Sequence, residues 1–168
     1  MLFRSTGTPT GWAVTSGGYA GPAITNKTMV SWLTLQSLCP VCKGSALSLD
    51  KISADYFDSM TLDNGTTGSP VNTWSNNSNS AYRFQQLNPG YTETTTGSLI
   101  QIAFTYEHLG GGQMGIKGYR NGNLMGSYTT GNASSWSTGD AEVFFGPSAG
   151  TASAPIGALD ALYQEARI

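Results

Sequence analysis

The stretch Ile100–Tyr128 leaves this chain few folds to choose from. Ile100, Ile102, Phe104 and Tyr106 alternate with Gln101, Ala103, Thr105 and Glu107. A period of two puts one set on a buried sheet face and the other toward solvent. Gly110-Gly111-Gly112 ends the run, because consecutive glycines accept turn dihedrals that other residues resist. A second strand is predicted over Met114–Arg120 and a third over Leu124–Tyr128, with Asn121-Gly122 between them. Asn-Gly between two such runs signals a two-residue hairpin, since both central positions of a type I′ turn need positive φ. A meander of this kind commits the chain to an antiparallel sheet.

The rest of the chain extends that sheet into a sandwich. Strands are predicted over Leu2–Ser5, Thr28–Leu35, Ala46–Asp50, Tyr56–Leu62, Ala81–Gln86, Glu142–Phe145 and Ile156–Ile168. In Thr28–Leu35 both faces are fairly apolar, with Met29, Ser31, Leu33 and Leu35 on one and Val30, Trp32 and Thr34 on the other. Such a strand belongs in the middle of a sheet. Asn88-Pro89-Gly90 reads as a turn, and Gly65–Ser80, Thr129–Gly139 and Pro147–Pro155 as loops. No helical period, heptad or internal repeat is visible. The expectation is all-β: a two-sheet antiparallel β-sandwich formed by one domain over residues 1–168, a length sufficient to bury a core.

The same residues carry a family resemblance. The order of Ala103-Phe104-Thr105-Tyr106, the hairpin Tyr119-Arg120-Asn121-Gly122 and the Gly-ending strand Val143-Phe144-Phe145-Gly146 resembles the laminin-G-like branch of the concanavalin A-like lectin/glucanase jelly rolls. Thr28–Leu33 with its single Trp32 resembles the early strand of that family, and Gln164–Ile168 its closing strand. The resemblance implies a jelly roll. It leaves function open, because the superfamily includes lectins, adhesion modules, hydrolases and structural domains.

Charge excludes several partners. Charged residues make up 11% of the chain against the usual quarter, and the formal net charge is −2 with no run of Lys or Arg. A phosphate-neutralising surface for nucleic acid is therefore not expected. No apolar segment approaches membrane-span length, so insertion is not expected either. Met1-Leu2-Phe3-Arg4 lacks the pattern of a signal peptide.

No catalytic set is expected. Glucanases of this superfamily place acids at i and i+2 on one strand face, where they can flank a glycosidic bond. Asp140-Ala141-Glu142 comes nearest but lacks the third acid. His108 has no nucleophile in a recognisable motif, and Gly110–Gly115 is a turn rather than a phosphate cradle. Cofactors are expected to be none. Some relatives bind Ca²⁺ at the sandwich rim, and Asp58 and Asp63 are the donor candidates for that arrangement, though calcium wants six or more oxygens. Cys39 and Cys42 form a Cys-x-x-Cys pair. Zinc would need two further ligands and a redox motif a βαβ context, so a disulfide clip within the loop or two reduced thiols is expected.

Binding chemistry fits the loops better. A sugar presents an apolar C–H face and a set of hydroxyls, so its site pairs an aromatic ring with amide, carboxylate or guanidinium groups. Trp74 with Asn76 and Tyr82, and Trp136 with Asn132, offer that combination from polar loops; capping of the core ends is the competing role for each Trp. Arg120 stands where relatives commonly carry an aliphatic residue, and is expected to face a groove or to pair with an acid across the sheet. N-x-S/T sequons at Asn26, Asn64, Asn76 and Asn132 matter only in a eukaryotic secretory setting. The expected function is a non-catalytic binding or adhesion module, extracellular or on a virion surface, that recognises glycan or protein. The alternative is a virion structural protein, a decoration, cement or fibre component, with homo-oligomer or particle assembly. A glycoside hydrolase stands third.

Overall fold

The computed structural model describes residues 3–6, 12–15, 17–38, 43–54, 56–63, 70–77, 85–131, 135–147, 149–151 and 154–168. Among these, the strands are β1 (Phe3–Thr6), β2 (Ala13–Val14), β3 (Lys27–Leu35), β4 (Gly44–Lys51), β5 (Phe57–Leu62), β6 (Trp74–Asn77), β7 (Gln85–Gln86) and β8 (Asn88–Pro89). They continue as β9 (Leu99–Gly110), β10 (Gln113–Arg120), β11 (Asn123–Thr130), β12 (Ala141–Gly146), β13 (Ala149–Thr151), β14 (Ala154–Ile156) and β15 (Asp160–Arg167). No described residue is helical, so no helix is long and apolar enough to cross a membrane.

One sheet runs β1-β15-β3-β9-β10-β11-β8, a second β2-β12-β4-β5-β6-β7, and β13-β14 form a separate hairpin. All the pairings are antiparallel, as the meander requires. In β3 and β9 the alternation read from sequence is realised. Met29, Ser31 and Leu33 are buried opposite Phe104, Ile102 and Ile100, and Leu35 and Tyr106 are buried on the same face, while the alternate residues are half-buried or exposed. The second sheet supplies Leu47, Leu49, Met60, Leu62 and Trp74 to the same core. At about 1.5–3 kcal/mol per fully buried large apolar side chain, this shared layer is the main favourable term holding the sheets together.

Asn121 and Gly122 have φ of 49° and 79°, the positive pair that the predicted type I′ turn needs. β3 is central in its sheet, but its Val30–Trp32–Thr34 face is only half-covered. The strands buried on both faces are β4 and β5. Small hydroxyl residues explain why the chain can pack over them. Ser45 and Ser48 both donate to the carbonyl of Pro147, and Ser59 is bonded to Thr61 at 2.7 Å.

Three predicted loops are corrected. Residues 74–77, placed within a polar loop, form β6 against β5. Asn88-Pro89, read as a turn, pairs with Gly126 and Ser127 as the edge strand β8, where a proline without an N–H does no harm. Ala149–Thr151 and Ala154–Ile156, placed within a predicted loop, pair as β13 and β14. The part of the predicted strand over 81–84 lies outside the described residues.

Candidate functional site

The site is built where β10 ends. The Asn121-Gly122 turn is pinned to β9: the Asn121 N–H donates to the Gln101 carbonyl at 2.9 Å, and the Gln101 N–H to Asn121 Oδ1 at 2.8 Å. This fixes Arg120 at the last position of β10. The chain beyond Pro89 approaches from the other side. Thr73 and Thr92 bridge through their backbones, with their hydroxyls 2.9 Å apart. The Trp74 N–H donates to the Tyr91 carbonyl at 3.2 Å, and the Glu93 N–H to the Asn72 carbonyl at 2.8 Å. Segment 91–93 is thus strapped onto the start of β6.

Glu93 is the hub. Its side chain is only 2% exposed, yet both oxygens are occupied. Oε1 accepts from Trp74 Nε1 at 2.8 Å and from Arg120 Nε at 2.7 Å, and Oε2 accepts from Arg120 Nη2 at 3.1 Å. A forked guanidinium–carboxylate pair of this kind fixes orientation as well as charge. The Glu93 hydrogen bond foremost, opposed by burial, holds the Arg120 guanidinium above its ordinary pKa. Arg120 lies over the Tyr91 ring, 4.8 Å from its centre, and Tyr91 as a residue is 40% exposed. From inside to outside the order is Trp74, Glu93, Arg120, Tyr91. The cluster offers solvent a ring and a guanidinium edge, both held from below.

Of the two expectations for Arg120, pairing with an acid is the one formed. Trp74 reaches the same cluster from beneath, fully buried, so it presents no ring to solvent and the platform predicted for it is not formed. Asn76 is buried as well, its Oδ1 accepting from the Tyr106 hydroxyl at 2.7 Å, which removes both its amide and its sequon from the surface. Trp136 is fully buried too, its backbone exchanging hydrogen bonds with Ile24 and its ring packed on Tyr56. An indole in a polar loop can be an anchor driven inward, and here both are. Tyr82, Asn132, Cys39 and Cys42 lie outside the described residues.

The acids also settle into structural partners. Asp58, placed at the rim as a calcium donor, is instead buried between the sheets, with Lys27 Nζ 2.7 Å from its Oδ2. An ammonium in that position occupies the charge a cation would need. Lys27 in turn lies 4.1 Å from the Tyr106 ring centre and 4.0 Å from that of Trp136. Asp63 is buried where its backbone bonds Thr73 and Asn72. Among the described residues no three His, Cys, Asp or Glu side chains converge as a metal centre. Asp140 accepts from the Ser53 N–H and hydroxyl at 2.8 Å each, with Lys51 Nζ at 3.6 Å. The Ser53 hydroxyl bond foremost holds its carboxyl below the ordinary value. Burial pushes Glu142 up.

Sequence reasoning missed Glu93 and Tyr91. One signal was present: Glu93 is the only charged residue between Arg83 and Glu107.

Two antiparallel sheets packed face to face in this order, with no helix among the described residues, form a jelly-roll β-sandwich. No protein-family model and no curated protein sequence matches the chain. Among solved structures it is similar to a native heptameric SAP-like pentraxin from Limulus polyphemus, with a TM-score of 0.66 at 13% identity over 98% of this chain and 74% of that one. It is also similar to the carbohydrate-binding module CBM66 from Bacillus subtilis, with a TM-score of 0.50 at 13% identity over 98% of this chain and 92% of that one. The fold is the one that the Tyr119–Gly122 hairpin and the Val143–Gly146 strand implied.

Proposed function

We propose that the chain is a non-catalytic binding module, displayed outside the cell or on a particle surface, that recognises glycan or protein at the β10–β11 end of its sandwich. The observation that carries this reading is the Tyr91–Arg120 stack held by Glu93. It combines an exposed ring with a fixed hydrogen-bond donor, and its order comes from beneath rather than from a ligand. A carbohydrate-binding module among the structures of like fold is consistent with it. Three of the acids are engaged in structural contacts. Asp140 ties down the turn after β4, and Glu93 and Asp58 are each neutralised by a cation.

The test is a glycan array probed with the chain tetramerised on streptavidin, together with incubation of bound oligosaccharides to look for cleavage. Saturable retention on a restricted set of glycans without turnover is the expected result. Turnover abolished by Asp140→Ala or Glu142→Ala would overturn the non-catalytic reading. A second reading, a virion building block, is favoured by the exposure of Leu99 and Leu124, at 49% and 59%. A silent array with ordered self-assembly in light scattering would select it.

A further inference from the structure

We propose that Tyr91 and Arg120 form a subsite for one uncharged pyranose ring, an inference that rests on the binding-module reading above and narrows its ligand. A guanidinium carries five N–H donors. Arg120 spends two of them on Glu93. Among the described residues nothing accepts the remaining three, and the side chain is 21% exposed. The guanidinium lies over the ring of Tyr91, a residue that is 40% exposed, so N–H donors and an apolar ring adjoin at the surface. A pyranose has the complementary form, a C–H face flanked by hydroxyl oxygens.

Charge decides between a neutral and an anionic sugar. Glu93 contacts Arg120 directly, so the pair is neutral as a unit and an incoming carboxylate meets an acid already bonded to the cation. The flanking residues Thr92, Thr94, Thr95 and Thr96 are exposed and uncharged. They can hydrogen-bond hydroxyls but supply no second cation. Glu93 and Trp74 act as positioning residues, locking the guanidinium in the plane that its free edge requires.

The experiment titrates the folded chain with the methyl glycosides of glucose, galactose, mannose and N-acetylglucosamine, with glucuronate and N-acetylneuraminate as charged probes. The readout is the NMR resonance of the Thr92 backbone amide, which is present in the wild type and in every variant. At least one neutral glycoside should shift it, with affinity falling about tenfold in Tyr91→Ala and little in Tyr91→Phe. Arg120→Lys keeps a cation for Glu93 but loses the fork, and should weaken binding by a similar factor. Tyr91→Ala changes a surface residue outside the buried core, so it remains informative if the lysine variant folds poorly. Glycan binding that ignores both substitutions would overturn the subsite while leaving the module reading intact. Preference for the charged probes would overturn the ligand class. Failure of every glycoside to bind would overturn the subsite, leaving the array to judge the module.

Discussion

At the scale of single residues, the interior of this sandwich is governed by a few buried polar groups that cannot be removed one at a time. Lys27 comes from β3 and Asp58 from β5, so their 2.7 Å contact joins the two sheets. Both side chains are essentially inaccessible, at 1% and 0% exposure. Taking one partner away leaves a buried charge with nothing opposite, which typically costs about 3–5 kcal/mol, whereas replacing both with apolar groups of similar size is often neutral. Lys27→Met should therefore destabilise the chain by about 3–5 kcal/mol, and adding Asp58→Leu should restore most of the loss. Urea unfolding of the wild type and the two variants measures this. A double variant as weak as the single one would mean that the rings of Tyr106 and Trp136, rather than Asp58, are what Lys27 serves.

At the scale of elements, what could be read in advance follows from how each strand is buried. The β9–β11 meander was legible because one face is dry and the other wet, so hydrophobicity alternates along the chain. β6 was not. Trp74-Ser75-Asn76-Asn77 carries no alternation, since its polar side chains are buried by long-range partners such as Tyr106 and Glu93. The same cause hid the candidate site. Arg120 stood out because relatives commonly carry an aliphatic residue there, but its acid lies 27 residues earlier and is brought close by the backbone bonds of segment 91–93 to the start of β6. Both tryptophans were legible as landmarks, with core capping and a ligand platform weighed for each, because a polar loop sequence does not tell which way its one large ring turns. Close approach is equally silent in sequence. Gly44 opens β4 where a Cβ would lie 2.1 Å from the Leu159 nitrogen and 2.3 Å from the Gly146 carbonyl oxygen. These are backbone atoms engaged with each other in a 3.0 Å hydrogen bond, so they cannot yield as a side chain would. Gly44→Ala should cost at least about 1–3 kcal/mol through overpacking. Gly131→Ala, where the Cβ meets open space, is the matched control for thermal denaturation.

At the scale of the molecule, the two sheets have no separate cores. Phe104, Leu33 and Ile102 of one sheet and Met60, Leu47 and Trp74 of the other belong to a single buried cluster. The chain also closes on itself, since β1 pairs with β15 through Phe3 and Tyr163, and β15 pairs with β3. Neither sheet can then lose its partner and keep a dry face. Phe104 stands near the middle of this layer with no exposed surface. Phe104→Ala should lower stability by about 3–5 kcal/mol, combining lost transfer free energy with an unfilled cavity. The distinguishing expectation concerns the form of the transition. Although Phe104 belongs to β9, the tryptophans that report unfolding include the fully buried Trp74 of the opposite sheet. Far-ultraviolet dichroism and tryptophan fluorescence should therefore trace one coincident urea transition in the wild type and in Phe104→Ala, shifted but not split. Two separated transitions in the variant would show that the six-stranded sheet holds Trp74 without its neighbour, and the single shared core would have to be abandoned.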